Sequence, residues 1–186
     1  MCYTGLFCML GIEHLILPNH LQSLTFGAHF RRNLALVTLP RNLQHLTLGA
    51  DFDQTLSTVN LPSGLCTLTL GYHFNQSLER VTWPKKLQSL IFGHDFNQSL
   101  EVNLPKCLQN LTFGHDFNQP LRDVNLPSSL ESLAFGANFK QNLEDVCLQG
   151  LRSLTFADHY KESLEQVKLP RTLHTLFYRG LGLRIR

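Results

Sequence analysis

The sequence predicts a mainly β repeat solenoid of about eight coils, each 21–22 residues long, with short parallel strands and little helix. Three observations lead there. The pattern LPxxLxxLxFGxxFNQxLxxVxLP recurs from Leu15 almost to the C-terminus. Two of its positions are leucine in all eight copies, Leu21 to Leu173 and, three residues on, Leu24 to Leu176. Self-similarity at a period of 20–30 residues is the mark of stacked supersecondary units, none of which buries its apolar face alone. The apolar alternation inside each copy is too short for a helix.

The register follows the prolines, Pro18, Pro40, Pro62, Pro84, Pro105, Pro127 and Pro170, with Gln149 standing in once. The step is 22 residues, and twice 21, shortened between Leu100 and Val102 and again between Leu148 and Leu151. After the second invariant leucine comes Phe26, Leu48, Leu70, Phe92, Phe113, Phe135, Phe156 or Tyr178. A glycine follows in six copies, Gly27 to Gly136, before Ala157 and Arg179 take its place.

Residues 1–14 read as a degenerate N-terminal coil or cap, with Cys8 where later coils carry Phe and Ile12 where they carry Leu. No basic region precedes their apolar stretch, so a signal peptide is not expected. Residues 15–178 form the solenoid. Each coil carries two LxxLxL-type halves, such as Leu43-Leu46-Leu48 closed by Gly49 and Leu56-Val59-Leu61 closed by Pro62. Both show strand periodicity, which predicts two short strands per coil on opposite sides of a flattened tube. Glycine at the first corner is expected to supply an unusual φ, and proline to end the second strand. Between the halves runs G-x-x-F-N-Q-x-L. Its aromatic (Phe30, Phe52, Phe74, Phe96, Phe117, Phe139, Tyr160) fits neither alternation and is expected to point inward from a tight turn, forming a stacked column. Pro120 shows that the slot after the glutamine needs no backbone donor. The last strand, Leu173 to Tyr178, precedes only a short basic tail, residues 179–186, carrying Arg179, Arg184 and Arg186. Its edge, with Thr175 and Phe177 turned outward, is expected to stay partly open. That predicts end-to-end self-association through this coil, or a further segment downstream.

Composition excludes several classes of function. A net charge of +2 and scattered Lys and Arg argue against nucleic acid and anionic membranes, and no apolar run has the length of a membrane span. The five cysteines occupy unrelated repeat positions and form no C-x-x-C. Reduced thiols in an intracellular compartment, the cytoplasm first, fit better than disulfides or a zinc site.

With Phe117-Asn118-Gln119-Pro120, Phe74-Asn75-Gln76, Phe96-Asn97-Gln98 and the LP-x-x-L-x-x-L-x-F-G segment in view, the chain resembles the FNIP-repeat family, a leucine-rich-repeat relative. The resemblance covers roughly Leu15 to Tyr178. It implies a curved, leucine-rich-repeat-like β-solenoid used for protein contacts, with no shared catalytic residues. Arg31, Asp53, Lys140 and Lys161 depart from the pattern in the asparagine slot, which interrupts an asparagine ladder.

Three groups of residues could carry function. His29, Asp51, His73, His94, Asp95, His115, Asp116 and His159 follow the glycine corners, and stacking would align them on one ridge. His73, Asp95 and Asp116 could then meet at a metal ion or proton relay, but a solvated turn after glycine also favours such residues. The Asn and Gln of the FNQ loops are expected to satisfy backbone groups of the adjacent coil rather than bind a ligand. The outward positions of the first strand are small, uncharged and hydroxyl-rich: His45, Thr47, Thr67, Thr69, Ser89, Ile91, Asn110, Thr112, Ser132, Ala134, Ser153 and Thr155. As the concave face of a leucine-rich solenoid this is the expected protein-binding surface. An ice-binding face would need a regular T-x-T grid, which His45, Ile91, Asn110 and Ala134 break. The reading is a non-enzymatic interaction scaffold with no catalytic, cofactor or metal residues assigned. A structural spacer, or a self-assembling solenoid, is the alternative, and a metal-dependent enzyme on the His/Asp ridge a remote one.

Overall fold

A proline or its equivalent opens each coil, and the leucine three residues later folds back on it: the N–H of Leu21 donates to the Pro18 carbonyl at 3.0 Å, and Leu43, Leu65, Leu87, Leu108, Leu130 and Leu173 repeat the bond. The computed structural model describes residues 17–100, 103–178 and 181–184. After each turn the chain enters a strand: β1 (Ser23–Thr25), β2 (His45–Thr47), β3 (Thr67–Thr69), β4 (Ser89–Ile91), β5 (Asn110–Thr112), β6 (Ser132–Ala134), β7 (Ser153–Thr155) and β8 (Thr175–Tyr178). These pair in parallel and in sequence order, like residue on like residue. The 21-residue step keeps register, since Leu90 lies beside Leu111 as Leu68 lies beside Leu90. The central leucine of each strand is buried and its two neighbours turn outward.

The second half of the coil differs from expectation: among the described residues it holds no strand. L-x-x-V closes as a turn, with Val59 N–H donating to Leu56 O at 3.1 Å and Val37, Val81, Val124, Val146 and Val167 doing the same. The residue before the leucine sets this up. Asn33, Thr55, Ser77, Asn142 and Ser163 each accept, on the side chain, the N–H two residues on. Such side-chain turns compete with a ladder, and Pro120 fills the same slot by fixing φ. The first coil tightens into the one 3₁₀ turn described, Leu34–Leu36.

The predicted open edge is also corrected. A ninth strand, β9 (Leu181–Arg184), pairs antiparallel with β8, Leu176 beside Leu183 and Phe177 beside Gly182. Residues 181–184 thus belong to the sheet rather than to a separate tail. The backbone edge at Thr175 and Phe177 is paired, although the Phe177 side chain is 49% exposed. The N-terminal coil over 1–14 lies outside the described residues.

The inward column forms as expected. Rings from Phe30 through Phe139 to Tyr160 stack at 5.9–6.2 Å between coils. A second column, Phe92, Phe113, Phe135 and Phe156, stacks at 5.5 Å. The corner glycines owe their place to close approach, not to an unusual φ. Coils touch backbone to backbone here, and a Cβ on Gly49, Gly71, Gly93, Gly114 or Gly136 would collide with the carbonyl of the glycine one coil earlier. Positive φ occurs at Gly150, at +87°. There Leu151 N–H bonds to Leu148 O, so Leu148 rather than Gln149 takes the proline's place in the turn. Gly150 supplies the left-handed third residue of a type II turn.

Candidate functional site

The outward positions of β1–β8 line one face of the sheet, and none is Asp, Glu, Lys or Arg. Thr47, Thr67, Thr69, Ser89, Ile91, Thr112, Ser132, Ser153 and Thr155 are partly exposed, and His45 and Asn110 exposed. The structure thus gathers every residue expected on this face into one surface.

The glycine corner opens onto a second surface. The second residue after it donates its N–H across the coils, Asp51 to Ala28 O at 2.8 Å, His73 to Ala50 O, Asp95 to Tyr72 O, Asp116 to His94 O and Asn138 to His115 O. The series stops where Ala157 replaces glycine. It aligns the polar side chains. His73 Nδ1 donates to Asp95 Oδ2 at 2.7 Å. His94 Nδ1 lies 2.7 Å from Asp95 Oδ1 and 3.7 Å from Asp116 Oδ2. His115 Nδ1 lies 2.6 Å from Asp116 Oδ1, which also accepts from Asn138 Nδ2 at 2.9 Å. One coil group earlier, Asp51 takes His29 at 3.1 Å and the Arg31 guanidinium at 2.7 Å. The hydrogen bond from His29, then that from Arg31, holds the Asp51 carboxyl below its ordinary value. His73 first, with His94 adding, does the same for Asp95.

The trio singled out from sequence, His73, Asp95 and Asp116, is divided between neighbouring contacts. The nearest convergence is His94, His115 and Asp116, with one ligand-type atom from each within 4.8 Å of the others. His94 and His115 hold the same repeat position one coil apart, and their rings stack. The first residue after the glycine forms an exposed pile, Tyr72 on His94 at 4.5 Å and His94 on His115 at 4.5 Å with rings 3° from parallel.

The FNQ amides bond to backbone and side-chain groups of the adjacent coil. Asn75 N–H and Gln76 Nε2 donate to Asp53 Oδ1, both at 2.9 Å. Asn97 and Gln98 donate to Asn75 Oδ1 at 3.0 Å, Asn118 and Gln119 to Asn97 Oδ1 at 2.9 Å, and Lys140 and Gln141 to Asn118 Oδ1. Asp53 serves the ladder as well as asparagine because only the acceptor oxygen counts. Lys140 ends it, since an ammonium cannot accept.

The FNIP repeat matches residues 11–51, 30–73, 74–116, 96–138 and 117–148. No curated protein matches the chain. Among solved structures, the crystal structure of CroV588, described as a novel circular LRR protein, is 28% identical with a TM-score of 0.52. The match covers 91% of this chain and 35% of that one, so this chain spans about a third of its length.

Proposed function

Because the chain belongs to the FNIP repeat family, we propose that it is a non-enzymatic scaffold that binds protein partners on the outward face of its strands. The observation that carries this is the face itself. Eight parallel strands, about 35 Å across at 4.8 Å per step, present hydroxyls and small side chains with no ionised group to desolvate. Burying such a surface costs little, and the large anchors that usually dominate binding would come from the partner. Repeat solenoids of this type are typically non-enzymatic and use their curved surface for contacts. A location inside the cell, the cytoplasm first, is supported by the free thiols of Cys66, Cys107 and Cys147.

The test is a comparison of two charged variants as affinity baits. Thr112→Glu with Ser132→Glu puts carboxylates in the middle of the face. Thr82→Glu with Asn125→Glu puts them on exposed positions of the second half-coil. Both should melt like the wild type. Proteins retained by the wild type should be lost from the first bait and kept by the second. The reverse pattern contradicts the assignment, and no saturable binding to any bait favours a structural spacer.

A further inference from the structure

Asp95 and Asp116 stand on consecutive coils, so stacking forces two carboxylates into one neighbourhood. His94 lies between them, its Nδ1 2.7 Å from Asp95 Oδ1 and 3.7 Å from Asp116 Oδ2. An ion held there would be shared by the two coils.

We propose that His94, His115 and Asp116 bind one divalent transition-metal ion, Zn²⁺, Ni²⁺ or Cu²⁺, which ties the coil of β4 to the coil of β5. Two imidazoles and a carboxylate suit these borderline metals and not Ca²⁺ or Mg²⁺. One donor atom from each residue lies within 4.8 Å of the other two. The separation of 3.7 Å between His94 Nδ1 and Asp116 Oδ2 is close to the roughly 3.3 Å between neighbouring ligands of a tetrahedral ion with bonds of about 2.0–2.1 Å. His115 Nδ1, at 2.6 Å from Asp116 Oδ1, has to open slightly as the ion enters. On binding, the ring proton moves to Nε2 and each Nδ1 exchanges its carboxylate hydrogen bond for the metal.

Two further features favour binding. The ring planes are fixed in advance by the Tyr72–His94–His115 pile, so less side-chain freedom is lost when the ion arrives. The site is open: the side chains of His94, His115 and Asp116 are 33%, 45% and 38% exposed, which lets a hydrated ion approach and keep water as its remaining ligands. Asp95, 2.7 Å from His94 Nδ1, borders the site and adds negative charge. The ion would be a cross-link between coils, not a catalytic centre.

The experiment is calorimetric titration of the chelator-treated full chain with Zn²⁺ at about pH 7.5, with Co²⁺ absorption as a spectroscopic probe. One equivalent should bind and raise the melting temperature. His115→Asn and Asp116→Asn should each weaken that equivalent about tenfold or more, and Asp95→Asn about tenfold. His45→Asn, on the outward strand face, should leave it unchanged. Lowering the pH should weaken binding as protons compete for the imidazoles. Circular dichroism establishes that each variant is folded. Absence of saturable binding, the same affinity in His115→Asn and Asp116→Asn, or a thiolate charge-transfer band in the Co²⁺ spectrum overturns the proposal.

Discussion

Tyr160 shows how far a single atom matters in this stack. It is the one member of the inward column with a hydroxyl, which donates to the Gln141 carbonyl at 3.0 Å. Burial pushes its phenol up to about 12, with the nearby Glu162 and Tyr178 adding to the effect. The unfolded chain ionises near the ordinary value of 10.0, the folded chain only near 12. Folding therefore retains a proton that unfolding releases, so this contribution is complete below pH 10.0 and is lost as pH rises towards 12. Tyr160→Phe should cost about 1 kcal/mol or less at neutral pH and should flatten the alkaline loss of stability. Denaturant melts across that range check it, and an unchanged alkaline slope would count against the assignment. Gly93 makes the opposite demand, for an atom that must be missing. A Cβ there would run into the Gly71 carbonyl and the Tyr72 Cα. Because backbone cannot move aside as a flexible side chain does, Gly93→Ala should destabilise by about 1–3 kcal/mol. Gly27, with no described residue near its Cβ position, should accept alanine at a smaller cost if the described residues set its surroundings. Equal effects at the two sites would show that backbone freedom, not close approach, sets the glycines.

At the scale of elements, the coil was legible where side chains have one place to go and illegible where the backbone decides. The phenylalanine column followed from sequence because Phe52 or Phe96 fits neither strand alternation and is too apolar for solvent. The V-x-L of the second half has the same alternation as the L-x-F of the first, yet only the first pairs. In the second half the Ser, Thr or Asn ahead of the leucine starts a turn with its side chain, whereas Ser89 and Asn110, ahead of Leu90 and Leu111, lie in strands, so residue type alone does not separate the halves. The His–Asp contacts were illegible for a related reason. His73, the second residue after its glycine, reaches forward to Asp95 of the next coil, while His115, the first after its glycine, pairs with its own neighbour Asp116. β9 was missed because eight residues seemed too few to cap the sheet, although Leu181-Gly182-Leu183 alternates and only Arg179 and Gly180 separate it from β8. Antiparallel pairing across two residues needs no crossover. Removing residues 179–186 should uncover the backbone edge of β8. The shortened chain should sediment as concentration-dependent oligomers while the full chain sediments faster only slightly or not at all over the same range. Identical sedimentation would mean that β9 does not guard this edge.

At the scale of the whole molecule, the sequence told which face the strands present. The Ser- and Thr-rich outward face of the strands is where we propose that partners meet the protein. A photo-reactive amino acid placed singly at Ser89, Thr112 and Ser132 on that face, and at Thr82, Arg122 and Glu144 on the rest of the coil, measures this most directly. Irradiated in cell extract, the first three should form the same protein adducts, and the second three should form none of them. Adducts that arise from Thr82, Arg122 or Glu144 and not from the strands would contradict it.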